Sequence, residues 1–255
     1  MNINSSLSHR KKEPEEGVLY LVCTPIGNLL DISERALNIL KNASLIACED
    51  TRQTKKLMYK FCFSNKMISF NKNNCLNKVP KIITQLKEGQ SIALVSDAGM
   101  PSICDPGEEL VREAKINKID VICIPGPSAV LTALVSSGFP ASKFIFEGFL
   151  PRRKKEREEI LFKISNNEDT TIIFESPHRL IDTLLDLKLF CGGSREIEVA
   201  RELTKRFEEH IGFNINNVIE FYENKKILGE FTIVIKGIEK DKNSKLNNKL
   251  LKKEL

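Results

Sequence analysis

From Val18 onward, short apolar runs rich in β-branched residues alternate with stretches of helical periodicity, and that alternation restricts the chain to a mostly parallel sheet covered by helices. Strands are expected over 18–23, 44–48, 67–70, 91–95 and 120–124, with helices over 32–41, 53–61, 79–87 and 108–116 between them. Parallel neighbours need a crossover of about a dozen residues or more, and each helical stretch supplies one. The fold class is therefore α/β. Pro125-Gly126-Pro127 interrupts the pattern, and Ser128 opens a helix, AVLTALVSSG, whose small residues permit close packing or close approach of a ligand. A boundary is expected there, followed by strands over 144–146, 171–174, 196–200 and 229–235 and helices over 155–164, 180–187 and 215–222. The shorter, irregular connections of this second half suggest antiparallel pairing. The expected organisation is an N-terminal extension (1–16), an N-terminal α/β subdomain (17–126), a C-terminal α/β subdomain (127–238) and a polar tail (239–255).

The chain has 255 residues, 41% of them hydrophobic, enough to bury one large core or two modest ones. Its net charge of +5 suits a polyanionic partner but also fits a Lys-rich surface, so charge alone decides little. The seven cysteines are odd in number, scattered and set mostly in apolar runs, as expected of reduced thiols in a cytoplasmic protein. With no C-x-x-C and only three histidines, no metal site is expected. The first sixteen residues lack an apolar core of signal-peptide length and no later segment approaches a membrane span, so neither export nor anchoring is expected.

Ligands of open α/β sheets bind beyond the carboxyl ends of the strands. Three loops placed there are rich in Gly and Pro: TPIGN (24–28), SDAGMP (96–101) and PGPSA (125–129). Glycine admits positive φ and close approach to the main chain, and proline fixes a loop before the ligand arrives, so together they suggest a preformed, backbone-lined pocket. Each loop alone also reads as a tight strand-to-helix turn. Neither G-x-G-x-x-G after a strand nor G-x-x-x-x-G-K-[ST] occurs, which disfavours dinucleotide enzymes and P-loop NTPases.

TPIGN, CEDTR (48–52), ALVSDAGMP (93–101), DPG (105–107), IPGPSA (124–129), EGFLPR (147–152), ESPHR (175–179) and ARELTK (200–205) occur in one order along the chain. In this set and order the sequence resembles the ribosomal RNA small subunit methyltransferase I family over roughly residues 17–237. The resemblance implies a fold of the tetrapyrrole methylase type, a class III methyltransferase of two α/β subdomains with the donor site in the cleft between them, commonly a homodimer. It also implies methyl transfer from S-adenosylmethionine to the 2'-oxygen of a cytidine in the decoding region of 16S ribosomal RNA. Relatives of this fold methylate corrinoid precursors, so the motif set rather than the fold points to RNA.

On this resemblance the donor is expected at Pro25, Ser96, Asp97, Ala98, Gly99, Pro101, Ser128, Ala129, Thr132 and Ser176. Asp97 also reads as an Asx turn before glycine, and Ser128 as a helix N-cap. Methyl transfer from a sulfonium is an in-line displacement that depends mainly on alignment. A carboxylate or neutral amine that takes the ribose proton adds roughly two to four orders of magnitude. Candidate catalytic groups are Asp50, Arg52, Glu175, Arg201, Glu202 and Lys205. Arg52 reads either as a phosphate ligand oriented by Asp50 or as part of a surface turn in which Asp50 caps the next helix. Arg179, Arg201 and Lys205 suit RNA phosphate or the donor carboxylate. Arg152, Arg153, Lys154, Lys155 and Arg157 stand at a helix start, where the macrodipole disfavours cations, and a bound RNA backbone would relieve that conflict. The alternative is a solvated face offset by Glu156, Glu158 and Glu159.

One stretch departs from the family pattern. Where its members carry a His- and Glu-containing segment ending in Asn-Glu, this chain reads Asn71-Lys72-Asn73-Asn74-Cys75 and keeps only Asn74. Two rival readings follow: a methylase of small tetrapyrroles, which needs a large apolar trough and no basic rim, and a non-catalytic RNA-binding module of ribosome assembly. The cations at 152–157 oppose the first, and the intact 96–101 loop opposes the second.

Overall fold

A parallel strand covered by helices on either side must be apolar on both of its faces, and the strand sequences LYLV, LIAC and IALV meet that requirement. The computed structural model describes residues 12–239, so expectations for residues before 12 or after 239 fall outside it. The chain divides into two units, the first ending at Ser128 and the second beginning at Ala129. In the first, β1 (Leu19–Val22), β2 (Leu45–Cys48), β3 (Met67–Ser69), β4 (Ile92–Val95) and β5 (Val121–Ile124) form one sheet, ordered β3-β2-β4-β1-β5 and parallel throughout. The helices are α1 (Glu34–Asn42), α2 (Thr51–Lys60), α3 (Cys75–Lys87) and α4 (Glu108–Ile116). Alternate strand residues point to opposite faces. Tyr20, Val22, Ile46, Ala93 and Val95 accordingly pack with Ile39, Leu40, Leu57 and Met58 of α1 and α2. Leu19, Leu45, Ala47, Ile92 and Leu94 pack with Ile82, Leu86, Leu110 and Ala114 of α3 and α4.

The second unit contains α5 (Ala129–Ser137), β6 (Phe144–Phe149), α6 (Lys154–Asn166), β7 (Thr170–Glu175), α7 (Leu180–Cys191), β8 (Glu196–Arg201), β9 (Glu209–Asn214), α8 (Ile215–Glu223) and β10 (Phe231–Ile235). Its sheet order is β6-β7-β10-β8-β9. The expectation of antiparallel pairing needs correction at one place. β6 and β7 pair in parallel because α6 carries the chain back between them, while β7-β10, β10-β8 and β8-β9 are antiparallel. Leu161, Leu184, Leu187, Val218 and Tyr222 from α6, α7 and α8 bury one face of this sheet against Ile173, Val199 and Ile233.

Strand β9 was not expected from sequence. EHIGFN contains a glycine and is half exposed, so as the edge strand it lacks the run of buried residues that marks the others. Residues 12–16, assigned above to an extension, are tied to the fold. Glu13 accepts hydrogen bonds from Nε and Nη2 of Arg35 (2.7 and 2.6 Å), and the Glu15 amide donates to the Tyr20 hydroxyl (2.8 Å). All seven thiols are free, but only Cys23 and Cys48 are buried. Cys62 and Cys104 occupy exposed turn positions with φ of 50° and 63°, and Cys123 lies exposed on the edge strand β5. Among the described residues no helix is long and apolar enough to cross a membrane, and no group of three His, Cys, Asp or Glu could hold a metal ion.

Ile233 is fully buried on β10, hydrogen-bonded between β7 and β8. Ile233→Ala should destabilise the protein by about 2–5 kcal/mol, read from the midpoint of urea unfolding.

Candidate functional site

Strands that all run one way deliver their following loops to one edge, where the last carbonyl and amide groups need partners from outside the ladder. In the first unit the loops supply them to one another. The Thr24 amide donates to the Gly99 carbonyl (2.9 Å) and the Gly99 amide donates to the Thr24 carbonyl (3.0 Å), a two-bond antiparallel bridge between the loops after β1 and β4. The Cys23 amide donates to the carbonyl of Ile124 at the end of β5 (3.3 Å). Gly99 holds φ of +76°, and a Cβ there would lie 3.2 Å from Cγ2 of Ile26 and 3.6 Å from the Pro127 carbonyl. Gly126 must also be glycine, because its Cβ would stand 2.7 Å from Cβ of Cys23. The three Gly- and Pro-rich loops thus meet main chain to main chain. Pro25, Ser96, Gly99 and Pro101 are buried within them, Asp97 and Ala98 are exposed, and Ser128, Ala129 and Thr132 are half-buried.

The loop after β2 joins the same rim. The Asp50 amide donates to Oδ1 of Asp97 (3.0 Å), and the Asp97 amide donates in return to the Glu49 carboxylate. Asp50 also caps α2 through the Arg52 amide (2.8 Å) and binds the Arg52 guanidinium (2.6 Å to Nη2), so its cap role and its orienting role coexist. Arg52 remains 86% exposed at the side chain. Three carboxylates gather here with affinities for protons above the ordinary range. Glu49 is raised by burial and by the charges of Asp105 and Asp97; Asp97 is raised by partial desolvation and by the charge of Asp50, which the Asp50 amide partly offsets; Asp105 is raised by burial, partly offset by Ser96 and Lys72. Asp50 is the opposite case, held down to about 2 by its hydrogen bonds with Arg52. Lys72, from the stretch that departs from the family pattern, faces Glu49 and Asp105 electrostatically. Asn71 and Asn74 donate to the Ser69 hydroxyl (3.1 and 3.3 Å).

In the second unit β6, β7 and β8 point the same way, so EGFLPR, ESPHR and ARELTK all fall at one edge of its sheet, with Glu175 and Arg201 both in register with Phe231. Glu175 is buried and fully engaged. It accepts from the Ser176 amide (2.7 Å), the Ser176 hydroxyl (3.3 Å) and the Thr183 hydroxyl (2.7 Å). Arg179 donates to the Leu150 carbonyl (2.8 Å), joining the second motif to the first. Arg201 donates to the Leu228 carbonyl (2.6 Å). Lys205 binds Glu202 and Glu230 (2.8 Å each). Burial opposes the Lys205 charge, but the two carboxylates outweigh it and raise the amine's affinity for its proton, so Lys205 is unsuited to act as a neutral base. Burial likewise opposes the Glu202 charge, but Lys205 and the Glu230 amide outweigh it and lower the carboxyl's affinity for its proton.

The basic run divides in two. Arg152, Arg153, Lys154 and Lys155 are exposed, with only surface pairs from Arg153 to Glu156 (3.1 Å) and from Lys154 to Glu158 (3.8 Å). Such pairs contribute little. Arg157 requires a correction: its side chain is 12% exposed and donates to Asp186 (2.7 Å) and Thr183 (2.8 Å), since a position three residues into α6 turns back onto α7. Sequence reasoning also assigned no task to Phe207, which stands 62% exposed just after ARELTK. An aromatic residue inside the polar run KRFEE was the available signal.

Residues 18–218 match the family described as Tetrapyrrole (Corrin/Porphyrin) Methylases. A protein of Halalkalibacterium halodurans named ribosomal RNA small subunit methyltransferase I is 46% identical over 227 residues, 89% of this chain and 78% of that one. The protein of the same name from Thermotoga maritima is 47% identical, over 88% of this chain and all of the other. Among solved structures, a cobalt precorrin-4 methyltransferase of cobalamin biosynthesis superposes with a TM-score of 0.64 at 14% identity, covering 86% of this chain and 95% of that one. Uroporphyrin-III C-methyltransferase from Thermus thermophilus, complexed with S-adenyl homocysteine, superposes at 0.59 and 16% identity, covering 85% and 96%. At these identities the structural likeness concerns the fold.

The carboxylate cluster carries a measurable signature. A carboxyl whose affinity for its proton is higher folded than unfolded destabilises the protein above its folded value, and the penalty disappears as pH falls below the ordinary value of 4.5. Glu49→Gln should therefore raise Tm at pH 7 relative to the parent protein, and the gain should shrink toward zero by about pH 4. Scanning calorimetry across that range tests both the sign and the window.

Proposed function

Because the chain belongs to the tetrapyrrole methylase family, and within it to the ribosomal RNA small subunit methyltransferase I group, we propose that it transfers a methyl group from S-adenosylmethionine to a cytidine 2'-hydroxyl in the decoding region of 16S ribosomal RNA. The observation that carries this reading is the bridge between Thr24 and Gly99, with Gly126 pressed against Cys23. Backbone that close, at left-handed φ, leaves an edge lined by peptide groups, which fits a nucleoside bearing an amino-acid tail. Pro25, the residues of 96–99, Pro101, Ser128, Ala129 and Thr132 would hold it, with Ser176 as a further contact. When bound, the sulfonium supplies an electrophilic methyl carbon.

The chain's own residues then have to orient the ribose and accept one proton. Asp50, Glu175 and Glu202 are already committed to Arg52, to Ser176 and Thr183, and to Lys205 respectively. We assign them, with Arg201 and Lys205, to positioning the loops. Glu49, desolvated beside Asp97 and Asp105 and with its affinity for a proton raised, is the carboxylate best suited to take the proton. Arg52 and the exposed cations Arg152, Arg153, Lys154 and Lys155 suit the phosphate backbone. The same reading carries a cytoplasmic location and a homodimer.

The deciding experiment incubates the purified protein with methyl-labelled donor and undermethylated small ribosomal subunits, then maps the label. Label on a 2'-oxygen supports the proposal. Label on a tetrapyrrole instead, or donor binding without transfer to RNA, overturns it. Gly99→Val should abolish donor binding in calorimetry, because the branched side chain has no room beside Ile26 and the left-handed φ disfavours it. Joint reversal of Arg152 and Arg153 to Glu should weaken RNA binding about tenfold or more, flatten its salt dependence and spare donor affinity.

A further inference from the structure

The turn joining β8 to β9 is unusually well fixed for a surface connection. Glu202 and Thr204 hold φ of 51° and 66°, a region that L side chains occupy only when the surroundings enforce it. The enforcement is on hand. The Lys205 amide donates to the Glu202 carbonyl (2.9 Å), the Glu208 amide to the Lys205 carbonyl (3.1 Å), and the Thr204 amide to the Glu208 carboxylate (2.9 Å). Glu208 is held in turn by His210 (3.0 Å), and His210 by Glu198 (2.9 Å). Gly229 lies so near Glu202 that a Cβ there would meet its Cγ at 2.5 Å, which packs the turn against the segment entering β10.

Two side chains of this turn face away from that network. Phe207 is 62% exposed, and the Arg206 guanidinium stands 5.6 Å from its ring centroid. Holding a large apolar ring in water on a rigid turn gains nothing for folding, whereas an aromatic surface backed by a guanidinium is what an unstacked nucleobase binds. The turn also lies at the sheet edge where β6 delivers Arg152 and its neighbours. β6 and β8 are separated by β7 and β10, and three inter-strand steps of about 4.8 Å put the two loops roughly 14 Å apart. A single RNA strand of a few nucleotides can bridge that gap.

We infer that Phe207, supported by Arg206, is a stacking platform for one unpaired base of the RNA, while the exposed cations at the end of β6 hold the neighbouring backbone. This inference rests on the RNA reading above and adds to it a base contact beside the phosphate contacts. Unpaired bases are recognised through their π faces, so the platform selects for single-stranded over duplex RNA rather than for one base.

The test uses an unstructured RNA oligonucleotide carrying one 2-aminopurine, titrated with the parent protein, Phe207→Ala and Phe207→Trp. The parent should quench the fluorescence, Phe207→Ala should lose the quenching and about tenfold or more in affinity, and Phe207→Trp should retain both. Donor affinity by calorimetry should be equal in all three, which separates lost stacking from lost folding. Affinity and quenching that survive in Phe207→Ala overturn the platform, as does a parent protein that leaves the probe unquenched. A fall to monomer in light scattering for Phe207→Ala alone also overturns it, since a second copy would then cover the ring. Quenching by a parent protein that transfers no methyl to RNA would keep the platform and sink the methyl-transfer reading. Equal KM and kcat for RNA methylation in parent and Phe207→Ala would do the reverse.

Discussion

The first unit depends on the pairing of the loops that leave its strands. A parallel sheet ends in a row of peptide groups that its own ladder cannot satisfy, and a ligand-binding edge cannot bury them under side chains without closing itself. The two bonds between Thr24 and Gly99 resolve the conflict, because the loops satisfy each other's peptide groups. Gly99 takes left-handed backbone at that pairing, and the approach of the loop after β5 to Cys23 leaves no room for a Cβ at Gly126. Proline at 25, 101, 125 and 127 then limits the freedom the glycines would otherwise bring.

The second unit reaches the same end by different means. Its motif loops are held by side-chain charges as well as by main-chain bonds, with Glu175 gathering the Ser176 amide and the Thr183 hydroxyl, and Lys205 gathering Glu202 and Glu230. A buried carboxylate stripped of its partners is costly, so Glu175 holds the groups it gathers firmly in place. Glu49 is the less committed group, its neighbours being the Asp97 amide, the like charges of Asp97 and Asp105, and the opposite charge of Lys72.

Residues that carry motifs were legible, and side-chain direction was not. Asp50 shows why: sequence offered a helix cap or an arginine partner, and the structure uses separate lone pairs of one carboxylate for both. Arg157 belonged by composition to a run of five cations, yet its place on α6 turns it onto Asp186 and Thr183. β9 escaped notice because an edge strand buries too little to impose a pattern on its residues. Phe207 escaped because apolarity is read as core by default, and only its exposure on a fixed turn reverses that reading.

Taken alone, the sequence determined the α/β alternation, the break near Pro125, and the loops whose glycines and prolines mark the carboxyl ends of strands, because all of these are set by local backbone preference and short-range periodicity. Tertiary structure alone decided which loops touch, which charges are spent on each other and which remain exposed. Those outcomes depend on strand order, and strand order brings together residues more than seventy positions apart, such as Thr24 and Gly99, whose pairing no local pattern encodes.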